Sequence, residues 1–187
     1  MDVARAFLSA GVTCLQLRAK TWASGPFLAL SVEVESEAQK AGALLIINDR
    51  ADVAAMAGAR GLHVGQDDLR PVEVRQLVGA EAVVGLSTHT DAQLRAGLDE
   101  PITYLAIGPV FDTDSKATGY EPIGLDAVRL AARMTTPRRI PLVAIGGITL
   151  ERAAAVIESG AAAVAVISDL LVGDPENRAR EFLRALA

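Results

Sequence analysis

Short apolar runs alternate along nearly the whole chain with longer stretches whose apolar residues recur every three or four positions. The runs at 13–17, 43–47, 61–64, 82–86, 103–107, 141–145 and 163–167 are built mostly from Val, Leu, Ile and Ala. That pattern predicts short strands buried on both faces. The stretches at 3–10, 27–40, 51–56, 72–78, 125–134, 150–159 and 176–186 predict amphipathic helices. Gly11, Gly42 and Gly160 stand just before strands, where helices usually end, and Asp174-Pro175 reads as a cap followed by a first-turn proline. Strands separated by one helix each need crossover connections, so the sheet is expected to be parallel.

The count of strands is seven, and the chain opens on a helical pattern that ought to follow a strand. The expected fold is therefore α/β: a TIM (β/α)8-type barrel lacking its first N-terminal strand, with residues 1–187 forming one domain. A misplaced or lost start is the favoured explanation of the gap, ahead of a barrel that is open by nature. An open doubly wound sheet is the other global reading. It would gather its ligands in a single crevice, whereas here polar groups follow almost every strand.

Those groups carry the chemistry. Gln16, Arg18 and Lys20 share one side of an extended segment, which suits a multiply charged anion; solvated surface cations are the bland reading. Asn48-Asp49 follows a strand of pure hydrocarbon, and Asp68 follows the next one. Each is open to a second reading, as a cap for the helix beginning near Ala51 or Pro71. Taken together, two carboxylates after neighbouring strands can meet across a barrel rim and seat Mg2+ with a diphosphate. Asp67 is expected to point away, although the two neighbours could trade places.

The segment from Gly108 to Gly124 is long for a compact domain and offers the hydroxyls of Thr113 and Ser115 and the ammonium of Lys116. It reads as a loop folding over the mouth, with a plain surface loop as the alternative. Gly146-Gly147 and Ile167-Ser168 each precede a predicted helix after the last two strands, a usual place for phosphate on backbone N–H groups. His63 reads as a packed strand residue rather than a metal ligand. His89 either hydrogen-bonds near the site or supports the turn at Ser87.

Composition narrows the partners. The chain is 51% hydrophobic but only 4% aromatic, so the core must be aliphatic, and a net charge of -5 argues against nucleic acid. The longest unbroken apolar stretch, 161–167, is far short of a membrane span. The start carries Asp2 and no basic-then-apolar layout, so no signal peptide is expected. The lone Cys14 is compatible with a reducing cytoplasm and is expected to be a buried, inert thiol. Oligomeric state is left open.

The order Q-L-R-A-K, I-N-D, G-L-H-V-G-Q-D-D, G-L-S-T-H-T, G-P-V-F-D-T-D-S-K, A-I-G-G-I and V-I-S resembles the thiamine-phosphate synthase family from about Gly11 to Ser168. Each piece is weak alone; seven in order are specific. The resemblance implies a TIM barrel that joins hydroxymethylpyrimidine diphosphate to a thiazole phosphate, releasing pyrophosphate. It implies that Gln16, Arg18, Lys20, Asn48, Ser87 and Lys116 hold the pyrimidine diphosphate, with Arg18, Lys20, Lys116 and Ser87 as the catalytic groups. Asp49 and Asp68 would hold Mg2+, and Thr113, Ser115, Gly147, Ile167 and Ser168 the thiazole phosphate.

The sequence departs from the family pattern at Ala19, where an acidic residue is usual, and at Ser115, where threonine is usual; the opening strand is also absent. The related thiazole tautomerase and a non-catalytic ligand-binding paralogue are the alternatives. Retention of Asn48, Asp49, Asp68 and Lys116 together favours the synthase.

Overall fold

The structure, a computed structural model, describes residues 1–113 and 119–187. Helix α1 (Asp2–Ala10) leads into β1 (Cys14–Leu17), α2 (Ser24–Lys40), β2 (Leu44–Asn48), α3 (Ala51–Ala57) and β3 (Gly61–Val64). There follow α4 (Pro71–Val78), β4 (Val83–Thr88), α5 (Asp91–Gly97), β5 (Tyr104–Ile107) and α6 (Gly124–Thr135). Strand β6 (Leu142–Ile145), α7 (Leu150–Glu158), β7 (Ala163–Ala165) and α8 (Pro175–Ala185) complete the chain. All seven strands form one sheet in chain order, every pair parallel. A doubly wound sheet would reverse its order at a switch point; this one does not, so the barrel reading holds.

Local chemistry explains the boundaries. Gly11, Gly42 and Gly160 end helices at φ of 97, 67 and 102°, a left-handed turn that costs glycine nothing. Asp174 caps α8 by accepting the Asn177 N–H at 3.0 Å, with Pro175 in the first turn. On α2 the buried positions Phe27, Ser31, Val34, Glu35 and Ala38 trace one helical face against the sheet. Among the described residues no helix is long and apolar enough to cross a membrane.

The core lies outside the barrel wall rather than within it. Leu15, Leu45, Ile47, Leu62, Val64, Val84 and Leu86 alternate outward on β1 to β4 to meet α2, α3 and α4. A second cluster forms where Leu105, Ile107, Leu142 and Ala144 meet α5, α6 and α7. The opposite parity (Gln16, Asn48, His63, Gly85, Tyr104) faces inward, as strand alternation requires.

The barrel has a seam. Among the described residues no strand pairs with β1 or β7 on their outer edges, while α8 packs against α1 and closes the ring of helices. A TIM-like barrel with its first strand missing is thus what the chain forms. Cys14 is exposed rather than buried, at an inward position on the strand that borders the seam. Its apolar surroundings still push the thiol pKa up, away from reactive thiolate.

Two expectations fail locally. The last strand stops at Ala165 instead of continuing to Ile167, since an edge strand has a ladder on one side only. Helix α5 was not expected: its one buried apolar side chain, Leu94, is too little for a periodic signal. It forms because Thr90 caps it, accepting the Gln93 N–H at 3.2 Å.

The seam sets a stability contrast. Leu105, fully buried, should cost about 2–5 kcal/mol when cut to Ala. Ile167, 56% exposed beside the seam, should cost no more than about 0.5 kcal/mol. Urea denaturation midpoints of Leu105→Ala and Ile167→Ala check this, and equal losses would show that the seam is closed in solution.

Candidate active site

The carboxyl ends of the strands open on one rim, where most of the sequence motifs come together. After β2 the chain does not cap α3 with Asn48 or Asp49: the cap position is Arg50, with no side-chain cap bond. Asp49 instead takes a left-handed backbone, φ 64°, with its N–H donated to the carbonyl of His63 at 2.8 Å. A non-glycine residue in that region usually marks a functional constraint. Its side chain is thereby released toward β1, where Lys20 Nζ lies 2.9 Å from Asp49 Oδ2.

Asp68 arrives from β3. Its Oδ2 accepts the Gly65 N–H at 2.8 Å, which folds the segment after β3 back over the rim. Arg70, not Asp68, occupies the cap position of α4, so capping is excluded for this carboxylate too. Asp49 stands near enough to raise the Asp68 pKa, so the two carboxylates come together across the rim. Burial raises the Asp68 pKa above the ordinary carboxylate range; the Gly65 bond opposes this, Asp49 reinforces it, and Lys20 pulls it back. Asp67 is exposed.

Gln16, Arg18 and Lys20 are all exposed on the lip beside the seam, while Asn48 is buried at the end of β2. Ser87, near the end of β4, is buried with its Oγ 2.7 Å from His63 Nε2. Gln66 Nε2 donates to the Ser87 carbonyl at 2.7 Å. His63 is indeed a packed strand residue. His89 stacks on Tyr120 at 4.1 Å and donates from Nδ1 to the Gly108 carbonyl at 2.5 Å, tying the β4 end to the segment after β5.

That segment interlocks with the loop after β6. Val110 N–H donates to the Ile145 carbonyl at 2.8 Å and Phe111 N–H to the Gly146 carbonyl at 3.1 Å, continuing the sheet beyond both strands. A Cβ on Gly146 would lie 2.5 Å from Pro109, and one on Gly147 would lie 2.4 Å from the Asp112 carbonyl. The glycine pair therefore accommodates the neighbouring loop as well as any ligand. Thr113 is half-buried at the end of this segment. Ser115 and Lys116 lie outside the described residues.

The two phosphate-type loops are joined by an acid the sequence reading missed. Asp169 Oδ2 accepts the Leu150 N–H at 2.9 Å and so occupies one donor at the start of α7. Arg178 from α8 holds both Asp169 oxygens at 3.0 and 2.8 Å. Ser168 begins a three-residue 3-10 turn, Asp169–Leu171, where a full helix was expected. Ile167 is exposed beside it. Tyr104 was also missed; its signal is a lone aromatic at an inward strand position, level with a glycine on the next strand.

Chemically the rim offers two seats. One, on β1 to β4, combines cations, an amide and a carboxylate pair; the other, after β6 and β7, combines backbone amides with a hydroxyl.

A family model and the sequence relatives agree on one family. A family model described as thiamine monophosphate synthase matches residues 1–170. A thiamine-phosphate synthase from Koribacter versatilis is 46% identical over 98% of this chain and 84% of its own length. One from Thermus thermophilus is 40% identical over 100% of this chain and 88% of its own. The structure of a thiamine phosphate pyrophosphorylase from Pyrococcus furiosus superposes with a TM-score of 0.90 at 26% identity, across 99% of this chain and 88% of that one. With the same order of strand-end motifs and nearly full-length similarity, the chain belongs to the thiamine monophosphate synthase family.

Proposed function

We propose that the chain, acting as one unit over 1–187 in the cytoplasm, joins hydroxymethylpyrimidine diphosphate to a thiazole phosphate, giving thiamine phosphate and pyrophosphate. The observation that carries this reading is the cluster Lys20–Asp49–Asp68, assembled from three consecutive strand ends. A site for one phosphorylated thiazole alone, as in a tautomerase, has no use for a carboxylate pair beside a cation.

The donor set suits Mg2+. Two carboxylates share a rim position beside one lysine, and the Asp68 carboxyl is pushed toward its neutral form by burial and by Asp49. A divalent cation relieves that excess of negative charge, and Mg2+ is commonly held by one or two carboxylates plus phosphate oxygens. When bound, Mg2+ supplies charge neutralisation to the departing diphosphate.

The chain's own residues do the rest. Arg18 and Lys20 grip the diphosphate from the β1 lip, Gln16 and Asn48 orient the pyrimidine side, and Ser87 contributes a hydroxyl from below. Lys116 joins them from the segment after β5. As the bond from the pyrimidine methylene carbon to oxygen breaks, both electrons leave with pyrophosphate, and these cations stabilise the charge that develops. The thiazole nitrogen then bonds to the methylene cation. Thr113, Ser115, Gly147, Ile167 and Ser168 hold the thiazole phosphate so that this nitrogen stands close. No side chain acts as nucleophile or general base.

Pyrophosphate release should require both substrates and Mg2+. Release from the diphosphate alone at the same rate would sink the coupling of the two seats. Asp49→Ala should lower turnover about 100-fold or more while thiazole phosphate still binds; wild-type rates would remove Asp49 from the metal seat.

Stability gives an independent check. A carboxyl whose folded-state pKa is raised binds its proton more tightly in the folded than in the unfolded chain. It therefore destabilises the fold above that pKa, and the cost vanishes as pH falls through the raised range. Asp68→Asn should melt higher than wild type at pH near 7 without divalent ions, with the difference shrinking toward acid. Mg2+ at about a hundred times its dissociation constant should add about 2.7 kcal/mol to wild type, roughly 5–10 °C, and little to the variant. A variant stabilised equally by Mg2+ would place the metal elsewhere.

A further inference from the structure

Inside the barrel one hydrogen-bonded row is not explained by packing. Asn48, His63, Gly85 and Tyr104 are successive partners across β2, β3, β4 and β5. Gly85 lets the Tyr104 side chain lie across its strand: a Cβ there would stand 2.0 Å from the phenol ring. The Tyr104 hydroxyl thereby reaches His63 Nδ1 at 2.8 Å, and the other ring nitrogen, Nε2, lies 2.7 Å from Ser87 Oγ.

The direction of these bonds depends on which His63 nitrogen carries the hydrogen. Burial pushes the Tyr104 phenol pKa up, so it keeps its proton, and His63 Nδ1 is the acceptor within its reach. A neutral imidazole that accepts at Nδ1 carries its hydrogen on Nε2 and donates it to Ser87 Oγ. The Ser87 proton is then turned away from His63.

Other buried hydroxyls in the chain behave differently. Ser31 donates to the Phe27 carbonyl at 2.7 Å, Thr88 to the Ala106 carbonyl at 2.9 Å, Thr135 to the Ala132 carbonyl at 3.3 Å and Ser159 to the Ala155 carbonyl at 2.8 Å. Each is satisfied as a donor by backbone. Ser87, only 1% exposed, has its oxygen engaged by a side chain instead, and water does not compete for its proton.

We infer that His63 and Tyr104 are positioning residues for the synthase reaction, turning the Ser87 hydroxyl so that it donates to an acceptor on the pyrimidine diphosphate. The inference rests on the reading above that Ser87 belongs to that substrate's seat. Tyr104 fixes the tautomer of His63, His63 fixes the rotor of Ser87, and Gly85 keeps the path open. Neither ring needs to touch substrate.

A double-mutant cycle tests this on the full chain, reading single-turnover pyrophosphate release, thiazole phosphate dissociation constants and urea midpoints. His63→Leu should slow release about 10–100-fold, the range seen when supporting hydrogen-bond partners are removed from ligating groups. The dissociation constant should stay within about threefold. His63→Gln, which keeps an N–H donor, should recover most of the loss, and Tyr104→Phe should slow release about 3–10-fold. In a Ser87→Ala background none of these substitutions should cost anything further.

If His63→Leu slows release by the same factor with and without Ser87, or if Gln and Leu are equivalent, the inference is overturned while the seat stands. Wild-type release by Ser87→Ala would instead overturn the placement of Ser87 and the inference with it. Should His63→Leu fail to fold, Tyr104→Phe in both backgrounds decides by the same criterion.

Discussion

One backbone hydrogen bond, from Asp49 N–H to the His63 carbonyl at 2.8 Å, carries the β2–β3 pairing a residue past the end of β2, and the acidic side of the site depends on it. It holds Asp49 at φ 64°, and that turn aims the carboxylate across the rim instead of along the first turn of α3. The Lys20–Asp49 ion pair cannot be what fixes the arrangement. Lys20 is about half exposed, and pairs of that kind contribute roughly 0–1 kcal/mol. The backbone places Asp49, and Lys20 follows the charge. His63 links the acidic groups to the neighbouring strands, its carbonyl taking the Asp49 N–H and its ring reaching Ser87 and Tyr104.

The loops after β5 and β6 show the same economy of backbone. Val110 and Phe111 pair with Ile145 and Gly146, so two segments that look like independent loops are one extension of the sheet. Asp169 and Arg178 then bind the end of β7 to the start of α7. The arginine is well shielded and holds the carboxylate through two nitrogen–oxygen bonds, a geometry worth more than an exposed pair. The seat after β6 and β7 is thus set by contacts between loops, with glycines where those loops touch.

What the sequence made legible was whatever is local. Alternating strand ends, helix-ending glycines and the Asp174-Pro175 start all report the conformation of a few adjacent residues, and they landed as expected. The meeting of Asp49 with Asp68 was also inferable, because neighbouring parallel strands end side by side. Illegible features depended on register or on what was absent. Tyr104 reaches His63 only because Gly85 lies between them in the paired sheet, and no spacing along the chain encodes that. Cys14 sits in an apolar run that reads as buried, yet it is exposed at an inward position beside the seam. Gly146-Gly147 was read toward a ligand, whereas much of its constraint comes from Pro109 and Asp112. Helix α5 is held by a cap rather than by an apolar stripe, so periodicity passed over it.

The seam between β1 and β7 costs less than an open sheet edge suggests, and the reason bears on the site. Both apolar clusters lie between the outer face of the sheet and the helices, where the α1–α8 contact keeps the ring continuous. The inward positions bordering the seam are small or polar, Cys14 and Gln16 on one lip and Ala163 and Ala165 on the other. Opening the wall there therefore exposes little apolar area, and hydrophobic stabilisation scales with that area. Yet Gln16, Arg18 and Lys20 stand on one lip and Ile167 and Ser168 on the other. Their separation is not fixed by a shared ladder across the seam, so it is transmitted the long way, through β2 to β6. The continuous register of those middle strands, including the row from Asn48 to Tyr104, is accordingly what holds the two seats at a fixed distance. A substitution that loosens the middle of the sheet should misplace both seats at once, whereas one at the seam disturbs only the lip that carries it.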